Sequence, residues 1–232
     1  MNSTMFFTIC SLFYSLLLIF LISSKKKIYK NNSERKLYNI LVISNFIGII
    51  IELLCVVTCR NYKKIPFINS VVLKLYLMYL LTWITTFTKY IFIISRRGRH
   101  NFEDVYKKIN VVSIIIYFII TVLIFVLPMK YHVENNMVMY TYGKSVDMLY
   151  MFVEACVILC LLFMFTNPKS IKGTKYAPLF IFIAGGSAIM VLQSIHPEWL
   201  LMTAMETFIT FLMYFTIESN DEAVKKLEKE KK

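Results

Sequence analysis

The sequence predicts an all-α integral membrane protein. The expected architecture is a seven-transmembrane-helix bundle with its N-terminus outside, its C-terminus cytoplasmic and a short cytoplasmic helical tail. Three observations predict it. Of the 232 residues, 58% are hydrophobic and only 17% are charged, and the mean hydropathy is +0.62. A soluble domain does not hide that much apolar side chain. Apolar stretches of spanning length recur along the chain, and the basic residues are concentrated in alternate segments between them. The net charge of +12 would suggest nucleic acid in a soluble chain. Here it sets orientation, and no nucleic-acid partner is expected.

Residues 5–24 form the first span, near the ~20 residues that cross a hydrocarbon core. No basic residue precedes them and Lys25-Lys26-Lys27 follows directly. A signal peptide has the reverse charge order and a small-residue cleavage site, so this is a retained helix that starts outside. The remaining spans are 37–59, 69–95, 109–127, 146–165, 176–194 and 199–217. Pro178 suits the first turn of the sixth, and Gly185-Gly186 permits close packing or a bend there. Nineteen of the 26 Lys and Arg fall in the segments assigned inside (24–36, 95–108, 166–175 and 218–232). Five fall in those assigned outside, and the other two are Lys74 and Lys89. This distribution follows the positive-inside rule, with Arg60, Lys63 and Lys64 running against it. Residues 1–217 thus read as the membrane domain and 218–232 as a charged cytoplasmic stub.

The longest outer segment, Pro128–Ser145, holds β-type residues in Met137–Tyr142, preceded by Tyr131-His132-Val133, with Asn135-Asn136 between them as a two-residue turn. A short hairpin lid is expected. Two i,i+4 cysteine pairs, Cys55/Cys59 and Cys156/Cys160, sit at different depths and read as small apolar packing residues. No metal site or disulfide framework follows from them. The three histidines lie in three different loops. GxxxxGK[ST], GxGxxG, HExxH and GxSxG are absent from the sequence, so no nucleotide cradle, cofactor or catalytic centre is expected.

The informative residues are the charges inside the spans, each costing about 2.5–3.5 kcal/mol at the bilayer centre on insertion scales. Glu52 lies on the second span, Lys74 on the third, Glu154 on the fifth and Glu206 on the seventh. Counting about 1.5 Å per residue from the outer ends puts all four roughly 8–12 Å below the outer surface. Asn45, Gly48, Glu52, Cys55 and Cys59 repeat along one helical stripe. Lys74, Met78, Thr82, Thr85 and Lys89 share a face of the third span, and Thr203, Glu206, Thr207, Thr210 and Tyr214 do so on the seventh. Polar stripes turn away from lipid. The expectation is one outer-half pocket built by Glu52, Lys74, Glu154 and Glu206, for a cationic ligand, a proton or sodium, with the plain helix-locking role as its rival. Trp199 and Tyr140 stand at its outer rim as interfacial aromatics. Glu198 stands there at the start of the seventh helix, where a negative charge is favourable.

The last stretch carries a resemblance. His196-Pro197-Glu198, Leu200-Leu201, Thr203, the run Phe208–Glu218 and Asp221 together resemble the final membrane helix of the multi-span input modules of sensor histidine kinases from low-GC Gram-positive bacteria and their relatives. Asn45–Gly48 with Glu52, the Thr82–Thr85 region and Tyr140–Gly143 are similar to other parts of those modules. The resemblance implies a seven-helix sensory domain in the cell membrane. It also implies a homodimer, a cytoplasmic kinase or other effector as partner, an outer-side signal passed through the last helix, and a lid role for Glu198. The family's phosphorylated histidine context and its phosphotransfer and ATP-binding domains have no counterpart up to Lys232, so kinase activity is not expected in this polypeptide. The alternative expectation is a small ion-coupled transporter or carrier using the same carboxylates, against which the missing internal repeat counts.

Overall fold

A computed structural model of the chain describes residues 3–24, 33–96, 102–134, 137–165, 177–195 and 201–215. They form seven helices and one hairpin: α1 (Ser3–Ser24), α2 (Ser33–Arg60), α3 (Pro66–Arg96), α4 (Phe102–Val126), β1 (Lys130–Glu134), β2 (Met137–Tyr142), α5 (Lys144–Phe165), α6 (Ala177–Ile195) and α7 (Met202–Phe215). Four of these, α2 to α5, are long and apolar enough to cross a membrane, and Thr8–Phe20 and Met202–Phe215 are shorter apolar helices. The chain is therefore a predominantly helical protein of membrane type.

The helices outrun the apolar stretches that announce them. α2 begins at Ser33 rather than Leu37, and α4 at Phe102 rather than Ile109. Hydropathy marks only the part that suits hydrocarbon, whereas the backbone ladder continues through polar turns. Glu103 and Asp104 in the first turn of α4 complement the partial positive charge of a helix start. Phe102 and Tyr106 stack at 5.9 Å, and Phe102 meets Phe92 of α3 at 6.4 Å. Pro66 opens α3, where its missing N–H costs nothing and its fixed φ is helical.

α3 is the central element and packs against α2, α4 and α5. Its C-terminal half is buried on nearly every side: Trp83, Ile84, Phe87, Tyr90, Ile91, Phe92, Ile93 and Ile94 all belong to the main core. Trp83 and Phe87 stack at 5.1 Å, and Phe182 of α6 meets Phe87 at 5.1 Å and Trp83 at 5.6 Å. α4 is peripheral, with only Ile120 and Ile124 buried. α1 contributes the buried stripe Thr8, Ser11, Ser15 and Leu18, of which the small Thr and Ser side chains allow a close approach to α2.

The two expected strands pair, while the Asn135-Asn136 turn lies outside the described residues. β1 and β2 are antiparallel, from Lys130↔Tyr142 to Glu134↔Met137, with a register irregularity between His132 and Val133. Gly143 then takes φ 107°, a left-handed conformation that favours glycine. The carbonyl of Gly143 accepts from Val146 N at 2.9 Å and Asp147 N at 3.0 Å as α5 starts. Ser145 Oγ donates to Ile124 O at 3.0 Å, and Lys74 Nζ donates to Phe125 O at 2.6 Å. Two side chains from other helices thus satisfy carbonyls in the last turn of α4, which the helix itself leaves open.

Candidate functional site

Two of the four anticipated intramembrane charges meet. Glu52 and Glu206 are 1% and 3% exposed and lie within electrostatic reach of each other. α2 delivers Glu52 on its buried stripe of Leu41, Asn45, Gly48, Ile49, Glu52 and Cys55. α7 delivers Glu206 on a buried face with Thr203, Thr207, Ile209, Thr210 and Met213. Both stripes are the ones the periodicity picks out.

The groups around the two carboxyls come from four helices. Thr8 of α1 donates from Oγ1 to Glu52 Oε1. Tyr76 of α3 and Thr203 of α7 lie beside the same carboxyl, and their hydroxyls are 3.2 Å apart. Glu52 Oε2 is buried and has no hydrogen-bond partner. Tyr79 of α3 bonds through its hydroxyl to Glu206 Oε2, and the same hydroxyl is 3.3 Å from Asn45 Oδ1. Asn45 is the hub of the lower part. Its Nδ2 donates to Ser15 Oγ of α1 at 3.0 Å and to Thr207 Oγ1 of α7 at 2.9 Å. Farther down the same α2–α7 seam, Tyr38 OH donates to the backbone oxygen of Thr210 at 3.2 Å.

Gly48 makes this arrangement possible. A Cβ at that position would lie 2.5 Å from Tyr79 Cδ2 and closer still to Cε2 and Cζ. The tyrosine ring crosses α2 where a side chain is missing, and so reaches both Asn45 and Glu206. Sequence reasoning placed Gly48 on the right stripe but missed Tyr79, Tyr76, Thr8 and Ser15. Neither a tyrosine within an apolar run nor a hydroxyl in α1 carries a charge to flag it.

Lys74 and Glu154 do not join the pair. Lys74 turns to the other side of α3, bonding the Phe125 carbonyl with its ammonium 5.9 Å from the Phe125 ring centroid. The rest of its stripe goes the same way. Thr82 Oγ1 is 2.9 Å from Tyr117 OH, and Lys89 Nζ donates to Asn110 Oδ1 at 2.9 Å. The stripe Lys74, Thr82 and Lys89 is thus the polar side of the α3–α4 contact. Thr82 and Thr85 also bond back to carbonyls four residues earlier at 2.8 and 2.7 Å, as helical threonines do. Glu154 is exposed on α5, between exposed Met151 and Ile158. The count along the sequence gives all four residues a similar depth, but the direction each helix faces is set by packing that such a count does not encode.

Tyr140 lies on β2, stacked on His132 at 4.8 Å, and His132 Nε2 is 3.0 Å from Glu134 Oε1. It belongs to the hairpin's outer surface rather than to the carboxyl pair. Trp199 and Glu198 lie outside the described residues, as does the 218–232 stub. Of the cysteines, Cys55 Sγ is 3.7 Å from Val72 O and Cys160 Sγ 3.7 Å from Thr88 Oγ1, so the two pairs pack against different parts of α3.

Among the described residues the two carboxyls are surrounded by the hydroxyls of Thr8, Tyr76, Tyr79 and Thr203, with the Asn45 amide beneath them, and the network includes Thr203, Glu206 and Thr207 of α7. Neither a protein-family model nor a curated protein matches this chain.

Proposed function

We propose that the chain is the membrane-embedded input module of a two-component signalling protein. In this reading it has seven spans, N-terminus outside and C-terminus cytoplasmic, works as a homodimer in the cell membrane, and passes an outer-side signal through α7 to a cytoplasmic kinase or other effector. The 19-to-5 split of basic residues supports the orientation, and the similarity of the last helix to those of sensor kinases supports the role.

One observation carries the reading. α7 is joined to α1, α2 and α3 through one buried polar network centred on Glu206, Tyr79 and Asn45. Signalling requires an element with two arrangements whose balance a ligand biases. An acidic pair within the network that holds α7 provides such a bias, because a change of its charge alters the bonds that hold α7.

The test is to fuse residues 1–232 to a histidine-kinase catalytic core and measure autophosphorylation in membranes. Tyr79→Phe, Thr207→Val and Glu206→Gln should each change basal output severalfold. Ser145→Ala, which acts at the α4–α5 junction, should not. If the network variants express normally and leave output at the wild-type level, the reading fails. Cysteines at Val224 and Leu227 should crosslink more readily than one at Lys225 if the tails pair along a helical seam.

The buried Glu52–Glu206 pair also suits an ion-coupled carrier. Proteoliposomes loaded with a pH-sensitive dye separate the two readings. Sustained proton flux under an imposed gradient supports the carrier, and its absence beside an altered kinase output supports the sensor.

A further inference from the structure

We propose that Glu52 and Glu206 form a two-proton site: in the resting fold both carboxyls carry their hydrogens, and hydrogen ion is the species the site binds and releases. The inference names the ligand of the site described above. It rests on the input-module reading only for what proton release then does to α7.

The count of hydrogens carries the argument. Tyr79 has one hydroxyl hydrogen and two oxygens to satisfy, Asn45 Oδ1 and Glu206 Oε2. Thr207 does not relieve it, because its own hydrogen goes to Thr203 O at 2.8 Å, leaving only a 3.3 Å approach to Asn45 Oδ1. A hydrogen on Glu206 resolves the shortage. The carboxyl then donates to Tyr79 Oη, and Tyr79 donates onward to Asn45. Around Glu52, Thr8 donates to Oε1, buried Oε2 has no hydrogen-bond partner, and the hydroxyls of Tyr76 and Thr203 lie beside the carboxyl. Those hydroxyls can donate to a carboxylate or accept from a protonated acid, so for Glu52 it is burial beside a second acid that favours the hydrogen.

Charge points the same way. The titratable groups facing the pair are Tyr76 and Tyr79 from α3 and Cys55 from α2, besides the two acids themselves. α1 presents Thr8, which does not titrate. Among the described residues no Lys, Arg or His faces the pair, since Lys74 and Lys89 are bonded toward α4. Two buried carboxylates with no counter-charge are strongly disfavoured, and two O–H bonds remove both charges.

Proton loss has a defined consequence. When the Glu206 O–H bond breaks, its electron pair stays on the carboxylate and the hydrogen ion passes to water. Tyr79 then turns its hydrogen from Asn45 Oδ1 to the carboxylate. Asn45, the link between α2 and α7, loses an acceptor contact, so the state of the site is written into the hold on α7.

Infrared difference spectroscopy on the whole chain in phosphatidylcholine–phosphatidylglycerol vesicles tests this without any effector. The Glu154→Gln background removes the other intramembrane carboxyl. At neutral pH with choline as the only external cation, a protonated-carboxyl C=O band should be present and should shift in D2O. Glu52→Gln and Glu206→Gln should each delete one component of it, and Tyr79→Phe should displace the Glu206 component without deleting it. Raising the pH should convert both components to carboxylate bands. The proposal is overturned if the protonated band is absent, or if it survives both substitutions. It is also overturned if the carboxylate bands are present at neutral pH and respond to sodium, which would make this an alkali-cation site. The wild-type band and its D2O shift keep the test decisive should a Gln variant fail to fold. A negative spectrum with a responsive kinase fusion sinks the proton and leaves the sensor reading standing; the converse pair of results does the reverse.

Discussion

Gly48→Ala is the sharpest single perturbation of the site. The new methyl group would lie 2.5 Å from Tyr79 Cδ2 and closer to two further ring atoms. These atoms belong to the body of a ring that is 4% exposed, not to the loose end of a flexible chain, so the ring or the α2–α3 contact must shift. Overpacking of this kind costs about 1–3 kcal/mol. Displacing the ring also takes its hydroxyl from Glu206 and Asn45, and a buried polar group left unpaired costs about 1–3 kcal/mol. Alanine recovers up to about 1 kcal/mol of helix propensity. The net expectation is a loss of roughly 3 kcal/mol, read as a lowered unfolding midpoint of the purified chain in detergent. Gly186 supplies the control, since a Cβ there meets nothing within 4 Å, and Gly186→Ala should be neutral or stabilising by up to about 1 kcal/mol. In a Tyr79→Ala background the clash has no partner, so Gly48→Ala should then cost almost nothing, a coupling that a double-mutant cycle measures directly. If Gly48→Ala is tolerated as well as Gly186→Ala, or costs the same with and without Tyr79, the account of how Tyr79 reaches the site is wrong.

Asn45→Ala removes three contacts to three helices. At about 0.6 kcal/mol for an average interhelical bond in a membrane, it should cost about 2 kcal/mol in the same unfolding assay, and a loss below the error of that assay would remove Asn45 from the centre of the network. Lys74→Met should lower stability by about 1 kcal/mol through the unmet Phe125 carbonyl while leaving the carboxyl bands of Glu52 and Glu206 unchanged; a change in those bands would place the ammonium back at the site. Thr8→Val should perturb the Glu52 infrared component and not that of Glu206, and the opposite pattern would contradict the assignment of Thr8 to Glu52. For topology, cysteines introduced singly at Asn135 and Ser170 in a cysteine-free background should label with an impermeant maleimide outside intact cells at Asn135 alone; labelling at Ser170 would reverse the proposed orientation.

The sequence by itself determined the helical, membrane-type architecture, the hairpin near Asn135-Asn136 and the two stripes that bring Glu52 and Glu206 inward. Each is written in local pattern: apolar length against bilayer thickness, turn residues between β-type runs, and polar positions repeating at the helical period. Even Gly48 stands out on its stripe, though not what it makes room for. Tertiary structure decided the rest, because it concerns which way a helix is turned toward its neighbours. α3 carries two polar faces. The charged one, with Lys74 and Lys89, is conspicuous in sequence but packs on α4, where the Phe125 carbonyl and Asn110 satisfy it. The quieter one, with Tyr76 and Tyr79, meets the acids, because a tyrosine hydroxyl stands far from its backbone and finds its partner only once a gap such as Gly48 is set opposite it. Glu154, grouped with Glu52 and Glu206 by counting along the sequence, is exposed on α5, since a helix packed on α3 and α4 leaves its far side exposed whatever residue stands there.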